Sequence, residues 1–114
     1  MESNEKAKLI CKTLSDKKAY DVLKIDVSEQ TILADYFIIA SGKSSPQVKA
    51  LAEYAMEAVE KAGGEVRRKE GMTDSRWVVV DFGDVILHVF HDETRLFYNL
   101  ERLWTTNGNV EKID

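Results

Sequence analysis

A chain of 114 residues and 13.0 kDa has the length of one domain with its own core, and its mix of 44% apolar and 32% charged residues excludes a disordered segment. The longest apolar run, Tyr36 to Ala40, has five residues against the roughly twenty of a membrane span, no signal-peptide pattern opens the chain, and Cys11 has no second cysteine to pair with, so the expectation is a cytoplasmic domain in a reducing compartment. The net charge of −4 lies entirely in the second part: residues 1–70 hold 12 basic and 12 acidic side chains, residues 71–114 hold 4 and 8.

Ala7, Ile10, Cys11 and Leu14 follow Ser3 at helical spacing, which predicts a first helix over 4–15 with Ser3 as its cap. Ala19–Val27 reads as a strand, and Tyr36–Ala40 as a short strand covered on both faces. Ser45 and Pro46 then open a helix whose apolar stripe is Val48, Leu51, Ala52, Ala55, Val59 and Ala62, with Gly63-Gly64 as its stop. A short strand is expected around Glu65–Arg68, a turn through Gly71, and a short helix over Arg95–Leu103 capped by Asp92. Residues 1–104 are thus expected to form a single α/β domain, a mixed β-sheet flanked by helices, and residues 105–114 a loose polar tail.

The stretch Trp77 to Phe90 carries the most information. Two β-rich runs flank Gly83-Asp84, a two-residue hairpin turn in which Gly supplies the positive φ. That turn fixes the register: Phe82 opposes Val85, Val80 opposes Leu87 and Val78 opposes Val89, an entirely apolar face. The other face pairs Asp81 with Ile86, Val79 with His88 and Trp77 with Phe90. Aromatic anchors with a few polar groups mark a docking surface, and six of the ten aromatic residues fall within 77–104, in the acidic part of the chain. Such a surface repels phosphate backbones and suits a basic protein partner. The competing reading is that the segment after Asp92 folds back and covers this face.

Catalytic patterns are incomplete. Gly42-Lys43-Ser44 resembles the end of a phosphate-binding loop, but Phe37 stands where the loop needs its first glycine. Ser41-Gly42 followed by Ser44-Ser45 is similar to the glycine-serine loop of nucleotidyltransferases, and the runner-up reading is a small metal-dependent nucleotidyltransferase using Ser41, Gly42, Asp81 and Asp84. Against it, no pair of acids stands one residue apart on a strand to hold magnesium. His88 and His91 point to opposite faces of a strand, which does not make a zinc site, and Cys11 belongs to the apolar stripe of its helix. Arg67-Arg68-Lys69, the one basic run, is flanked by Glu65 and Glu70 and reads as a solvated loop more readily than as an RNA contact, with rRNA touched at the periphery at most.

Three ordered segments carry a family resemblance: Asp35–Gly42 with Gln47, Val48 and Ala50; Glu70-Gly71 with Trp77–Phe90; and Arg95, Phe97, Tyr98, Leu100, Glu101, Leu103 and Trp104. Over Ala7 to Trp104 the chain resembles the Iojap family, the ribosomal silencing factors of bacteria and organelles. The resemblance implies a nucleotidyltransferase-like fold without catalytic carboxylates, no enzymatic activity, and no cofactor or metal. It implies binding to the large ribosomal subunit at ribosomal protein L-fourteen, which blocks joining of the small subunit and represses translation under nutrient limitation. The implied partner contacts are Trp77, Asp81, His88, Phe90, Tyr98, Leu100 and Trp104. Phe82 stands where family members often carry Tyr. Exposed aromatics also favour a homodimer of the chain when it is off the ribosome.

Overall fold

The computed structural model describes residues 1–113. Its elements in chain order are α1 (Ser3–Asp16), β1 (Tyr20–Asp26), β2 (Tyr36–Gly42), α2 (Ser45–Lys61), β3 (Arg68–Glu70), β4 (Trp77–Asp81), β5 (Val85–His91), α3 (Asp92–Tyr98), α4 (Leu100–Trp104) and β6 (Val110–Lys112). The strands make one six-stranded mixed sheet in the order β3-β4-β5-β2-β1-β6, in which only β2 and β5 run parallel.

Period-two alternation sorts the strand residues onto two unequal sides. Val22, Ile38, Ala40, Val78, Val80, Leu87 and Val89 meet the apolar stripes of α1 and α2 in the main core. Ile25, Phe37, Ile39 and Phe90 point the other way, into a smaller cluster that Leu100 and Trp104 of α4 cover only in part. Strand β2 is buried along both faces from Phe37 to Gly42, as its unbroken apolar run requires. The hairpin register is the one the turn dictates: Trp77 opposes Phe90, Val79 opposes His88 and Asp81 opposes Ile86, with Gly83 at φ 98°.

Six local details differ from the sequence reading: β3 lies at Arg68–Glu70 and not around 65–68, Asp92 is the first residue of α3 with no side-chain cap bond before it, and four more follow. Ser44, not Ser45, caps α2: its Oγ accepts from the Gln47 N–H at 3.2 Å while Gln47 Oε1 accepts from the Lys43 N–H at 2.6 Å, a reciprocal pattern signalled by Ser-x-x-Gln. Ser3 lies inside α1, and the flanking Glu2 makes no side-chain cap bond. The helix expected over 95–103 is two helices, because Asn99 turns left-handed at φ 47°, ψ 49°, a conformation Asn tolerates. The polar tail is not loose: Val110–Lys112 pairs antiparallel with β1, and Asn109 Nδ2 donates to the Asp26 and Trp104 carbonyls.

Two buried cations tie remote segments together. Lys6 of α1 donates to the Phe82 carbonyl at 3.0 Å and to Asp84 Oδ1 at 2.7 Å, pinning α1 to the hairpin turn. Arg95 of α3, only 8% exposed, donates to Glu101 Oε2 at 3.0 Å, to the Asp21 carbonyl at 2.7 Å and to Ser41 Oγ at 2.8 Å. One guanidinium thus joins α3, α4, the irregular start of β1 and the end of β2. Removing it leaves Glu101 as a part-buried charge without its partner. Arg95→Ala is expected to lower unfolding stability by about 3 kcal/mol. Urea denaturation checks this, and an unchanged midpoint would contradict the strut.

Candidate docking face

The side of the sheet away from α1 and α2 is half roofed. Over β2 and β1 it is closed by α4, where Trp104 meets Phe37 edge-on with centroids 4.8 Å apart and Leu100 joins the same cluster. Over β4 and β3 it is open: Trp77, Val79, Asp81 and Ile86 are half-buried, and Arg68 and Glu70 are exposed at the edge.

Trp77 sits at the boundary. Its ring stacks on Phe90 (centroids 4.9 Å, planes at 27°) and leans on Tyr98 of α3 (4.9 Å, 46°), while its Nε1–H donates to His88 Nδ1 at 3.1 Å. The expected contact residues therefore fall into distinct positions. Tyr98 is 53% exposed and Trp77, Leu100, Trp104 and Asp81 are half-buried, whereas Phe90 is fully buried and His88 only 8% exposed. Both His88 and Phe90 lie beneath the outer layer of this face. Asp81 stands apart from the aromatic group, near the hairpin turn, where its Oδ1 accepts from the Gly83 N–H at 2.7 Å. Sequence reading omitted Leu96, Phe97 and Leu103, which are 83%, 81% and 75% exposed on α3 and α4. The sequence carried no signal for them, because apolar side chains beside an arginine read as the inward side of a helix until Arg95 is seen to be the buried one.

The residues of the nucleotidyltransferase reading do not meet. Ser41 is at the carboxyl end of β2, with its Oγ held by Arg95. Asp84 is level with Asp35, whose N–H bonds the Asp84 carbonyl, and is paired with Lys6. Six residues of extended strand separate that level from Ser41, about 20 Å. Asp81 lies at the Asp84 end and is committed to the turn. The constellation is corrected on geometry. Burial also pushes the Cys11 thiol up to about 12, which keeps it protonated and unreactive. Among the described residues no group of three or more His, Cys, Asp or Glu side chains is placed to hold a metal, and no helix is long and apolar enough to cross a membrane.

Burial lowers the His88 pKa from 6.5 to about 4, so the imidazole is neutral and its Nδ1 is free to accept from Trp77. Between those two values the unfolded chain takes a proton that the folded chain refuses. The stability that depends on neutral His88 is therefore full above about pH 6.5 and falls as the pH drops towards about 4. From roughly pH 7.5 to roughly pH 5 this one group removes about 2 kcal/mol. Urea unfolding of wild type and His88→Asn at both pH values measures it, and equal slopes in the two proteins would show that His88 does not titrate this way.

Comparison with known proteins agrees with this architecture. The family model described as "Ribosomal silencing factor during starvation" matches residues 1–114. Ribosomal silencing factor RsfS of Halalkalibacterium halodurans is 39% identical over 111 residues, covering 97% of this chain and 95% of that protein. The Bacillus subtilis protein of the same name is 42% identical over 97 residues, covering 85% and 82%. A crystal structure of a protein from Chromobacterium violaceum superposes with a TM-score of 0.89 at 39% identity, covering 91% of this chain and 87% of that one.

Proposed function

The chain belongs to the ribosomal silencing factor family, and we propose from that premise that it acts without catalysis, in the cytoplasm, by docking on the large ribosomal subunit at ribosomal protein L-fourteen and keeping the small subunit from joining. The observation that carries this reading is the open half of the sheet. Trp77 is held there by Phe90, Tyr98 and His88, and it borders a surface of Val79, Asp81 and Ile86 with Tyr98 and Phe97 at its lip. A held aromatic anchor loses little rotamer freedom on binding, the condition under which one side chain contributes strongly to an interface. A partner patch of about 800 Å² on each side is enough for a stable complex. If the same patch of the large subunit meets the small subunit, occupancy alone inhibits.

The acidic balance of residues 71–114 supports a basic protein surface as the partner; on the open strands Asp81 lies opposite Arg68, which pairs with the neighbouring Glu70. Any rRNA contact is confined to the edge strand β3 and the residue before it, where Arg67, Arg68 and Lys69 are exposed. Off the ribosome, the exposed Leu96, Phe97 and Leu103 give a second copy of the chain an apolar surface to cover.

Sedimentation with separated subunits is expected to place the protein on free large subunits and not on joined ribosomes. Trp77→Ala is expected to weaken that binding by about 30-fold or more, equivalent to about 2 kcal/mol. A folded Trp77→Ala protein that binds as before would refute the docking face. Asp81→Asn keeps the acceptor for the Gly83 N–H and removes only the charge. It is expected to reduce affinity about threefold at low salt and not at ~1 M salt, where the screening length is about 3 Å. Titrations at the two ionic strengths decide whether Asp81 meets a positive group.

A further inference from the structure

Building on the docking reading, we infer that His88 is a positioning residue for the Trp77 anchor: by taking the indole N–H it fixes the orientation of the ring and leaves it only apolar and π surface to offer a partner.

The bond itself is well defined, 3.1 Å from Trp77 Nε1 to His88 Nδ1, between residues on adjacent strands. With Nδ1 accepting, the proton of the neutral imidazole resides on Nε2. Nε2 is buried and has no hydrogen-bond partner. The imidazole is instead surrounded by rings: Phe37 edge-on at 5.3 Å, Trp77 at 6.0 Å and Phe90 at 6.4 Å. A buried donor without an acceptor destabilises the fold, and so does the burial of a titratable ring. An apolar side chain at position 88 would remove both penalties. By the requirements of the core alone, histidine is a poor choice here. What it supplies that leucine does not is the acceptor for Trp77.

The consequence concerns the partner. Phe90 bounds one side of the indole, Tyr98 another, and the single polar atom of the ring is already engaged. The exposed part of Trp77 has no donor left for a carbonyl or a phosphate oxygen. It fits an aliphatic group or the flat side of a cation, and a hydrogen-bond acceptor brought against it gains nothing. Without His88 Nδ1, the half-buried N–H turns towards water or an acceptor, and the ring leaves its seat.

The test separates positioning from simple structural support, because the two predict opposite stability effects. His88→Leu is expected to be at least as stable as wild type at neutral pH in urea denaturation. Its Trp77 indole N–H should exchange with solvent faster by NMR, the signal being assigned with a Trp104→Phe variant, and its binding to large subunits should fall about tenfold. His88→Asn, whose Oδ1 can take the place of Nδ1, is expected to restore both indole protection and binding. A His88→Leu protein that unfolds, that binds as tightly as wild type, or whose indole N–H stays protected overturns the inference. So does a folded His88→Asn protein that fails to restore protection and binding. Loss of binding in Trp77→Ala with none in His88→Leu rejects the positioning role and leaves the docking face standing; unchanged binding in both rejects the docking face itself.

Discussion

The architecture turns on a mismatch of dimensions. Six strands at about 4.8 Å spacing make a sheet roughly 24 Å wide. One side is covered by helices of 14 and 17 residues, the other by helices of seven and five. At about 1.5 Å per residue the second pair measure about 10 and 8 Å, too little to span the sheet. Something must stay uncovered, and Arg95 decides what. By fastening the α3–α4 junction to Ser41 and the Asp21 carbonyl, it sets the roof over β2 and β1 and leaves β4 and β3 bare. The half-open face is thus a consequence of roof length and of where one guanidinium is anchored.

How much of this could be read beforehand depends on whether the determinants were local. The hairpin was legible because Gly83-Asp84 admits one register, and that register alone sorts Val78, Val80 and Leu87 from Trp77, His88 and Phe90. Helix α2 was legible from its stripe, and its cap was misplaced by one residue because Ser44 and Ser45 look alike until Gln47 is seen to bond back to Lys43. The β6 strand was not legible: three residues carry no periodicity, and the segment is held by β1 and by Asn109, an interaction across more than eighty positions. The depth of His88 was hidden for the same reason. Alternation tells which side of a sheet a residue faces, and not which rings of another strand close over it: Phe37 of β2, remote in sequence, meets the imidazole edge-on beside Trp77 and Phe90.

Serine, glycine and acidic residues at suggestive spacings looked like parts of a phosphoryl-transfer site, and the fold spends each of them elsewhere. Ser41 receives Arg95, Asp81 closes its turn, and Asp84 holds Lys6. Each of these bonds joins segments distant in sequence or shapes a turn, and together they hold the three side chains apart. The open side of the sheet presents ring surfaces, aliphatic groups and the charged side chains of Asp81, Arg68 and Glu70.

The proposed action by occupancy would set this protein a different requirement from an enzyme's. It does not need to stabilise a transition state; it needs a surface whose shape is set before the partner arrives, since ordering side chains at the moment of contact subtracts from affinity. The buried residues under the open face answer that requirement. Phe90 is wholly enclosed, yet it fixes the plane against which Trp77 stacks; His88 is nearly enclosed, yet it consumes the one polar bond that would let the indole swing. A contact list drawn from the outermost atoms would omit both. Core and surface are therefore not separate on this sheet: the same side chains that close the smaller core also hold the exposed ring in place.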